Sequence, residues 1–146
     1  MKGEKLSERE IFELYDEVMK TNLHHSTLII NHIPKLDSFQ KEDRDNAECV
    51  IKREVNTIKR NLGRIYPFCS KKVKAVIDEI SEKGTQICGL SSIYDFKRNV
   101  SAISMWASVI HDIRLNLTRR PWEFLSSVNI DISLIKIDFG PSLLDI

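Results

Sequence analysis

Apolar residues recur every three or four positions through the first 120 residues of the chain, which is the period of an amphipathic α-helix. Short polar, proline or glycine stretches divide this pattern into four stripes, which predict four helices. The stripes consist of Ile11, Leu14, Tyr15, Val18, Ile29 and Ile33; Ala47, Ile51, Val55, Ile58 and Leu62; Val73, Val76, Ile77 and Ile80; and Phe96, Val100, Ile103, Ala107, Ile110 and Leu117.

Residues typical of helix ends lie at the borders of these stripes. The predicted starts are Ser7 with Glu10, Asp37 with Gln40, Ser70, and Ser92 with Asp95. The predicted ends are Pro34, Gly63 and Gly84. The fourth stripe, which begins at Phe96, predicts the longest uninterrupted helix.

The period changes after residue 120. Pro121 fits the first turn of a brief helix over residues 122–127. Apolar and polar residues then alternate over residues 130–139, with a one-residue slip that a β-bulge would produce. This alternation predicts a strand, which must pair with residues 85–90, with its equivalent in a second copy, or with another partner.

Four amphipathic helices joined by short turns predict a mostly α protein with an antiparallel, up-down-up-down four-helix bundle. A short fifth helix and a C-terminal β-segment complete the predicted architecture. The length of 146 residues fits one domain. The bundle is expected over about residues 7–120, and the short helix and strand over about residues 121–146.

The composition points to a cytoplasmic protein without a membrane partner. The N-terminus lacks the apolar stretch of a secretory signal, and no apolar run approaches the ~20 residues that span a bilayer. Cys49, Cys69 and Cys88 are odd in number and form no CxxC pair, so we interpret them as reduced, partly buried thiols.

No sequence motif indicates a cofactor, a metal site or a catalytic residue. His25 and His32 share a helix face but lie seven residues apart, about 10 Å along the axis, which is too far for joint metal binding. His111 and Asp112 are adjacent on a helix and therefore point apart. The sequence leaves enzymatic activity uncertain and favours a protein without it.

Polar residues interrupt the first apolar stripe. Asn22, His25 and Ser26 continue the stripe that Ile11 and Val18 begin. Either they form a buried polar layer that fixes the register of the helices, or the helix kinks and exposes them.

The charges of the chain are unevenly distributed. Eight of its 22 basic residues lie within residues 52–74 together with a single acid, Glu54, so this segment carries +7 in a protein of net charge +1. In an up-down-up-down bundle, the end of the second helix, the start of the third and the end of the fourth share one pole. The predicted basic pole consists of Lys59, Arg60, Arg64, Lys71, Lys72, Lys74, Arg114, Arg119 and Arg120.

Helix electrostatics explain part of the basic pole. Cations near a helix C-terminus are stabilised by the helix dipole, which accounts for Arg60, Arg64, Arg119 and Arg120. The dipole does not account for Lys71, Lys72 and Lys74, because they follow a predicted cap, where it disfavours positive charge. Tyr66 and Phe68 lie among the basic residues and could stack on bases, or could close the end of the bundle instead.

The sequence leaves three candidate functions open. The first is a non-catalytic regulatory or assembly module that binds an anionic partner, nucleic acid before an acidic protein, through the basic pole. The second is a homodimeric interaction protein assembled through its C-terminal strand. Its predicted interface residues are Ile130, Ile132, Leu134, Ile137 and Phe139. The third is an enzyme whose site is scattered along the sequence.

Overall fold

The computed structural model of the chain describes residues 6–116, 123–125 and 132–140, with the backbone alone for residues 114–116 and 123–125. It is mostly helical. The helices are α1 (Glu8–His32), α2 (Lys41–Ile65), α3 (Lys71–Cys88), α4 (Ile93–Arg98) and α5 (Val100–Asp112). Three 3-10 turns (Ile33–Asp37, Tyr66–Phe68 and Ile132–Leu134) and two short antiparallel strands, β1 (Arg114–Asn116) and β2 (Glu123–Leu125), complete it.

The first helix begins as the sequence predicts. Ser7 and Glu10 form a reciprocal capping box, and α1 then runs without a break through residues 20–27 to His32. The predicted start of the second helix at Asp37 is wrong. Helix α2 begins at Lys41, because the Ser38 hydroxyl accepts the hydrogen bond from the Gln40 backbone N–H at 3.1 Å and holds the turn that precedes the helix.

The third helix is longer than predicted. Ser70 caps α3 through the Val73 backbone N–H, as expected, but the helix continues past Gly84 and ends at Cys88 with Gly89 as its C-cap. Gly84 is not a helix end but a buried contact point inside α3. The proposal that residues 85–90 form a strand is therefore wrong.

The predicted fourth helix is interrupted at Asn99 and ends at Asp112 rather than beyond Leu117. The Asn99 amide nitrogen donates to the Asp95 carbonyl at 2.7 Å and to the Asp138 carbonyl at 2.6 Å, which separates α4 from α5. After Asp112 the chain enters β1, which pairs with β2. The predicted helix over residues 122–127 is therefore wrong at Glu123–Leu125, and its remaining residues lie outside the described ones.

The predicted strand over residues 130–139 is not confirmed. Residues 132–134 form a 3-10 turn, and residues 135–140 have no regular secondary structure; residues 130 and 131 lie outside the described part of the chain. The three-residue spacing of Ile132 and Ile135 places both side chains in the core, which an alternating strand could not do. Their turn is closed by the hydrogen bond from Ile135 N–H to the Ile132 carbonyl.

Helix α1 packs against α2 and α5, and α3 packs against the same two helices. Contacts between Arg64 and Glu17 and between Asn61 and Asn22 show that α1 and α2 are antiparallel. Trp106, Tyr15 and Phe96 are the largest fully buried side chains of the common core. The full up-down-up-down bundle remains a prediction.

Two helical glycines provide a matched test of this packing. A Cβ at Gly84 would lie 3.0–3.1 Å from Lys59, Val55 and Trp106, whereas a Cβ at Gly63 would meet nothing within 4 Å. Gly63→Ala should stabilise the protein by up to about 1 kcal/mol, because alanine is the better helix former. Gly84→Ala should instead destabilise it, since overpacking costs about 1–3 kcal/mol. Urea denaturation measures both; equal effects would contradict the close packing at Gly84.

Candidate functional site

The turn between α2 and α3 carries the exposed part of the basic pole. Ser70 caps α3, so Lys71 and Lys72 occupy its first two positions, and both side chains are exposed. Within the part of the chain that the structure describes, neither forms a hydrogen bond or an ion pair. Their charges therefore face solvent at a helix start that contains no acidic residue to favour them.

The two arginines at the end of α2 are exposed but have partners. Arg64 donates to the Glu17 carboxylate of α1 at 3.2 Å, and Arg60 donates to the Thr57 hydroxyl one turn earlier, also at 3.2 Å. Both pairs are near the surface, where such contacts contribute little to stability. The two guanidinium groups remain available to a stronger anionic partner.

The two aromatic candidates are both partly buried. The Tyr66 hydroxyl donates to Asp78 at 3.2 Å, and the Lys74 ammonium lies 5.4 Å from the centre of its ring. Partial burial, followed by the hydrogen bond to Asp78, raises the pKa of Tyr66. Tyr66 and Phe68 both pack against the core. The choice between closing the end of the bundle and stacking on bases stays a prediction for both rings.

One described member of the predicted basic pole, Lys59, lies away from this turn. Lys59 donates to the Thr85 hydroxyl at 2.6 Å. Thr85 follows Lys71 by 14 residues, about 21 Å along α3, so Lys59 lies far from the start of that helix. The Arg114 side chain, Arg119 and Arg120 lie outside the described residues. The members that the structure describes near this turn are Arg60, Arg64, Lys71, Lys72 and Lys74. The name basic pole refers to these five residues from here on.

An acidic surface lies beside this basic pole, which the linear sequence does not reveal. The Tyr15 hydroxyl contacts the Cys69 sulfur at 3.3 Å, and Glu17 binds Arg64, so the first half of α1 lies next to the start of α3. That half of α1 is rich in exposed acids: Glu8, Glu10, Glu13, Asp16 and Glu17. The helix pairing therefore places negative and positive surfaces side by side.

A buried polar layer crosses the α1–α2 interface, in agreement with the first of the two alternatives for Asn22 and Ser26. Both side chains are buried, and α1 is continuous there. The Asn61 amide donates to the Asn22 carbonyl oxygen at 3.1 Å, and the Ser26 hydroxyl donates to the Leu23 carbonyl. The Asn22 amide nitrogen is buried without a hydrogen-bond partner in the described part of the protein.

The same layer contains a histidine–carboxylate pair. The Glu54 side chain is 5% exposed, and its carboxylate binds the Nδ1 atom of His25 and the Nε atom of Arg53, the latter at 3.0 Å. A histidine held by a carboxylate is the geometry by which catalytic sites orient an imidazole. The sequence missed this pair because His25 and Glu54 lie 29 residues apart on two helices.

Other features of the described residues give no support to a catalytic or metal site. No group of three or more potential metal ligands occurs within those residues. Burial raises the pKa of the Cys69 and Cys88 thiols, despite nearby lysines that lower it, and so disfavours the nucleophilic thiolate. Cys49 is exposed, contrary to its predicted partial burial.

The residues of the predicted dimer interface differ in accessibility. Leu134 and Phe139 are 65% and 54% exposed. Ile132 is buried in the core of its own chain, Ile137 packs partly against that core, and Ile130 lies outside the described residues.

Among the described helices, none has the length and apolar character needed to cross a membrane. Comparison of the chain with known protein families, with curated proteins and with solved structures gave no match.

Proposed function

We propose that the protein is a non-catalytic regulatory or assembly module of the cytoplasm that binds an anionic partner through the basic pole, with nucleic acid as the first candidate and an acidic protein as the second. The observation that carries this proposal is the exposure of Lys71 and Lys72 without partners among the described residues. These two cations lie where the helix dipole disfavours them, so an external anion would stabilise them.

The surroundings of the two lysines support a polyanion rather than a single ion. Arg60 and Arg64 are exposed on the preceding helix, and their side-chain contacts are weak surface ones. Lys74 lies one turn along α3 and contacts Tyr66. Phosphates spaced along a nucleic acid strand could bind several of these cations, and each cation bound would release counterions.

The acidic half of α1 limits the size of the proposed interface. Glu17 lies within ion-pair distance of Arg64, and further carboxylates lie on the same half of the helix. A long duplex bound at this end of the protein would contact both the basic pole and the acidic half of α1. The charge arrangement therefore favours a short or single-stranded segment that follows α3 and avoids α1.

The test is the salt dependence of binding. A fluorescent single-stranded oligonucleotide should bind the wild-type protein at low salt, with affinity that falls steeply as salt rises. Replacing Lys71 and Lys72 by glutamate should reduce the slope of log Kobs against log[salt] by about 1–2, because each lost phosphate contact contributes about 0.7–0.9. Fluorescence anisotropy over a salt series measures this slope.

A charge-matched control separates the local surface from net charge. Lys35 and Lys41 are exposed before and at the start of α2, away from the basic pole. Reversing both to glutamate changes the net charge equally and should leave the slope close to the wild-type value. Equal losses in the two double variants, or no binding of the wild type at low salt, would refute the nucleic-acid proposal.

The dimeric alternative keeps one specific observation in its favour. Leu134 and Phe139 are large apolar side chains that the described fold leaves exposed near the C-terminus. In this alternative the protein is an interaction module, and its homo-oligomer forms through the C-terminal residues. Loss of a dimer on changing Leu134 and Phe139 to serine, measured by light scattering, would favour it over the first proposal.

A further inference from the structure

The C-terminal segment, residues 132–140, is held by a specific set of contacts at one end of the fold. Ile132 and Ile135 are buried in the main core, and the turn Ile132–Leu134 packs against α3. The following residues contact Gly89 and the junction between α4 and α5. Gly89 follows Lys71 by 18 residues, about 27 Å along α3, so this region is distinct from the basic pole.

The Asn99 side chain binds both backbone polar groups of Asp138. Its amide nitrogen donates to the Asp138 carbonyl, and its carbonyl oxygen accepts from the Asp138 N–H, each at 2.6 Å. A residue on a neighbouring strand would satisfy the same two groups with two hydrogen bonds. Asn99 is 2% exposed, and its further bond to the Asp95 carbonyl fixes the orientation of the amide. These bonds bind a main chain whatever its side chains are.

The neighbouring residues add selectivity for particular side chains. Arg98 Nε lies 3.5 Å from the Asp138 carboxylate. Gly140 has φ of +79°, and a Cβ there would lie 2.7 Å from Arg98 Nη2, so the contact requires glycine. The Phe139 ring lies 3.7 Å from the position of a Cβ at Gly89. The surface formed by Gly89, Arg98 and Asn99, here called the Asn99 site, thus contacts Asp138, Phe139 and Gly140 of its own chain.

We propose that the Asn99 site is a peptide-binding site, occupied by residues 135–140 of its own chain, and that it accepts the same segment from a second copy. The segment of a second copy has the same sequence, so every contact described above can form between copies. This inference does not depend on the basic pole.

The length of the connection allows such an exchange. Residue 132 follows Leu125, the last residue of β2, by 7 residues. A connection of that length can reach roughly 23 Å when extended, with the pairing of β1 and β2 intact. Two chains that exchange identical segments form a closed, two-fold dimer. Within one chain the effective concentration of the segment is on the order of millimolar. In dilute solution the Asn99 site is therefore occupied by the segment of its own chain rather than by that of a second copy.

The main test weakens the binding of the chain's own C-terminal segment to the Asn99 site and adds the same segment as a free peptide. In the full chain, Gly140→Ala introduces a side chain at positive φ against Arg98 and leaves the Asn99 site itself unchanged. A fluorescein-labelled peptide with the sequence of residues 132–140 should bind this variant about tenfold more tightly than it binds the wild type. Fluorescence anisotropy gives both dissociation constants.

Two controls identify the site. Adding Asn99→Asp to the Gly140→Ala chain removes the donor to Asp138 at nearly constant shape, and should reduce peptide affinity at least about tenfold. A labelled peptide that itself carries Gly140→Ala should bind the singly substituted chain about tenfold less tightly than the native peptide does. The peptide control needs no further change in the protein, so it decides the question even if Asn99→Asp prevents folding, which circular dichroism detects.

The proposal fails if Gly140→Ala does not increase affinity for the peptide, or if neither control reduces it. The exchange between copies has a separate readout in sedimentation velocity at protein concentrations on the order of 1 mM. The wild type should form a dimer at this concentration. Asn99→Asp should reduce the fraction of dimer, and Arg98→Ala replaces it as the test variant if Asn99→Asp does not fold. A monomer at that concentration, or a dimer that these changes leave intact, overturns the exchange.

Discussion

Replacing His25 by leucine should lower the free energy of unfolding by about 3 kcal/mol, because it leaves the Glu54 carboxylate buried without its partner from α1. Leaving a buried polar group without its partner costs about 1–3 kcal/mol, and more where that group is charged. Arg53, which still binds the other carboxylate oxygen at 3.0 Å, limits the loss. Guanidinium denaturation followed by circular dichroism measures the change.

Removing both partners should lower the free energy of unfolding far less than removing one. The double variant His25→Leu, Glu54→Leu replaces the buried charge by apolar groups and should recover to within about 1 kcal/mol of the wild type. His24 is the matched control, because it is the exposed neighbour of His25 on the same helix. His24→Leu should change the stability by less than about 0.5 kcal/mol. A double variant no more stable than His25→Leu would show that the carboxylate is not what makes the single change costly.

Replacing Trp106 by alanine should have an effect at least as large, a loss of about 3–5 kcal/mol. The Trp106 side chain is 1% exposed and fills the contact between α3 and α5. Its ring approaches Gly84, and its Nε1 donates to the Ile80 carbonyl at 2.9 Å. The substitution therefore opens a cavity and also removes a buried hydrogen bond.

The size of this loss distinguishes core packing from a general aromatic effect. Tyr94 is a suitable control, because 74% of its surface is exposed. Tyr94→Ala should change the free energy of unfolding by less than about 0.5 kcal/mol. Trp106→Phe should lie between wild type and Trp106→Ala, since a smaller ring fills part of the cavity. A loss below about 1.5 kcal/mol for Trp106→Ala would contradict the packing of α3 on α5.

Local signals predicted the parts of the fold that local interactions determine. The capping hydroxyls of Ser7 and Ser70 act within one turn, and both helix starts are confirmed. The helix end predicted at Gly84 and the uninterrupted fourth helix predicted through residue 99 are wrong, because Gly84 and Asn99 contact distant residues. Gly84 makes room for Trp106, and Asn99 interrupts a helix in order to bind Asp138. No local pattern encodes contacts that span 22 or 39 residues.

The candidate sites also divide into features that the local sequence predicts and features that depend on contacts between distant residues. The exposure of Lys71 and Lys72 follows from the apolar stripe of the third helix, which assigns the buried face to other positions and is visible in the sequence. The acidic neighbours of the basic pole come from the pairing of α1 with α2, as the contact of Glu17 with Arg64 demonstrates. The partner of His25 depends on that same pairing, because Glu54 looks like an ordinary acid in a basic segment until α1 covers it.

The position of Trp106 also provides a spectroscopic reporter. An indole that is buried and hydrogen-bonded to a fixed carbonyl emits at shorter wavelength than one in water. The chain has two tryptophans, so Trp122→Phe leaves Trp106 as the sole emitter. A red shift of its fluorescence then reports the separation of α5 from α3, and quenching by acrylamide reports how often that contact opens. Both can be recorded during titration with an oligonucleotide or with the C-terminal peptide. Each result would show whether binding at the basic pole or at the Asn99 site changes the contact between α3 and α5.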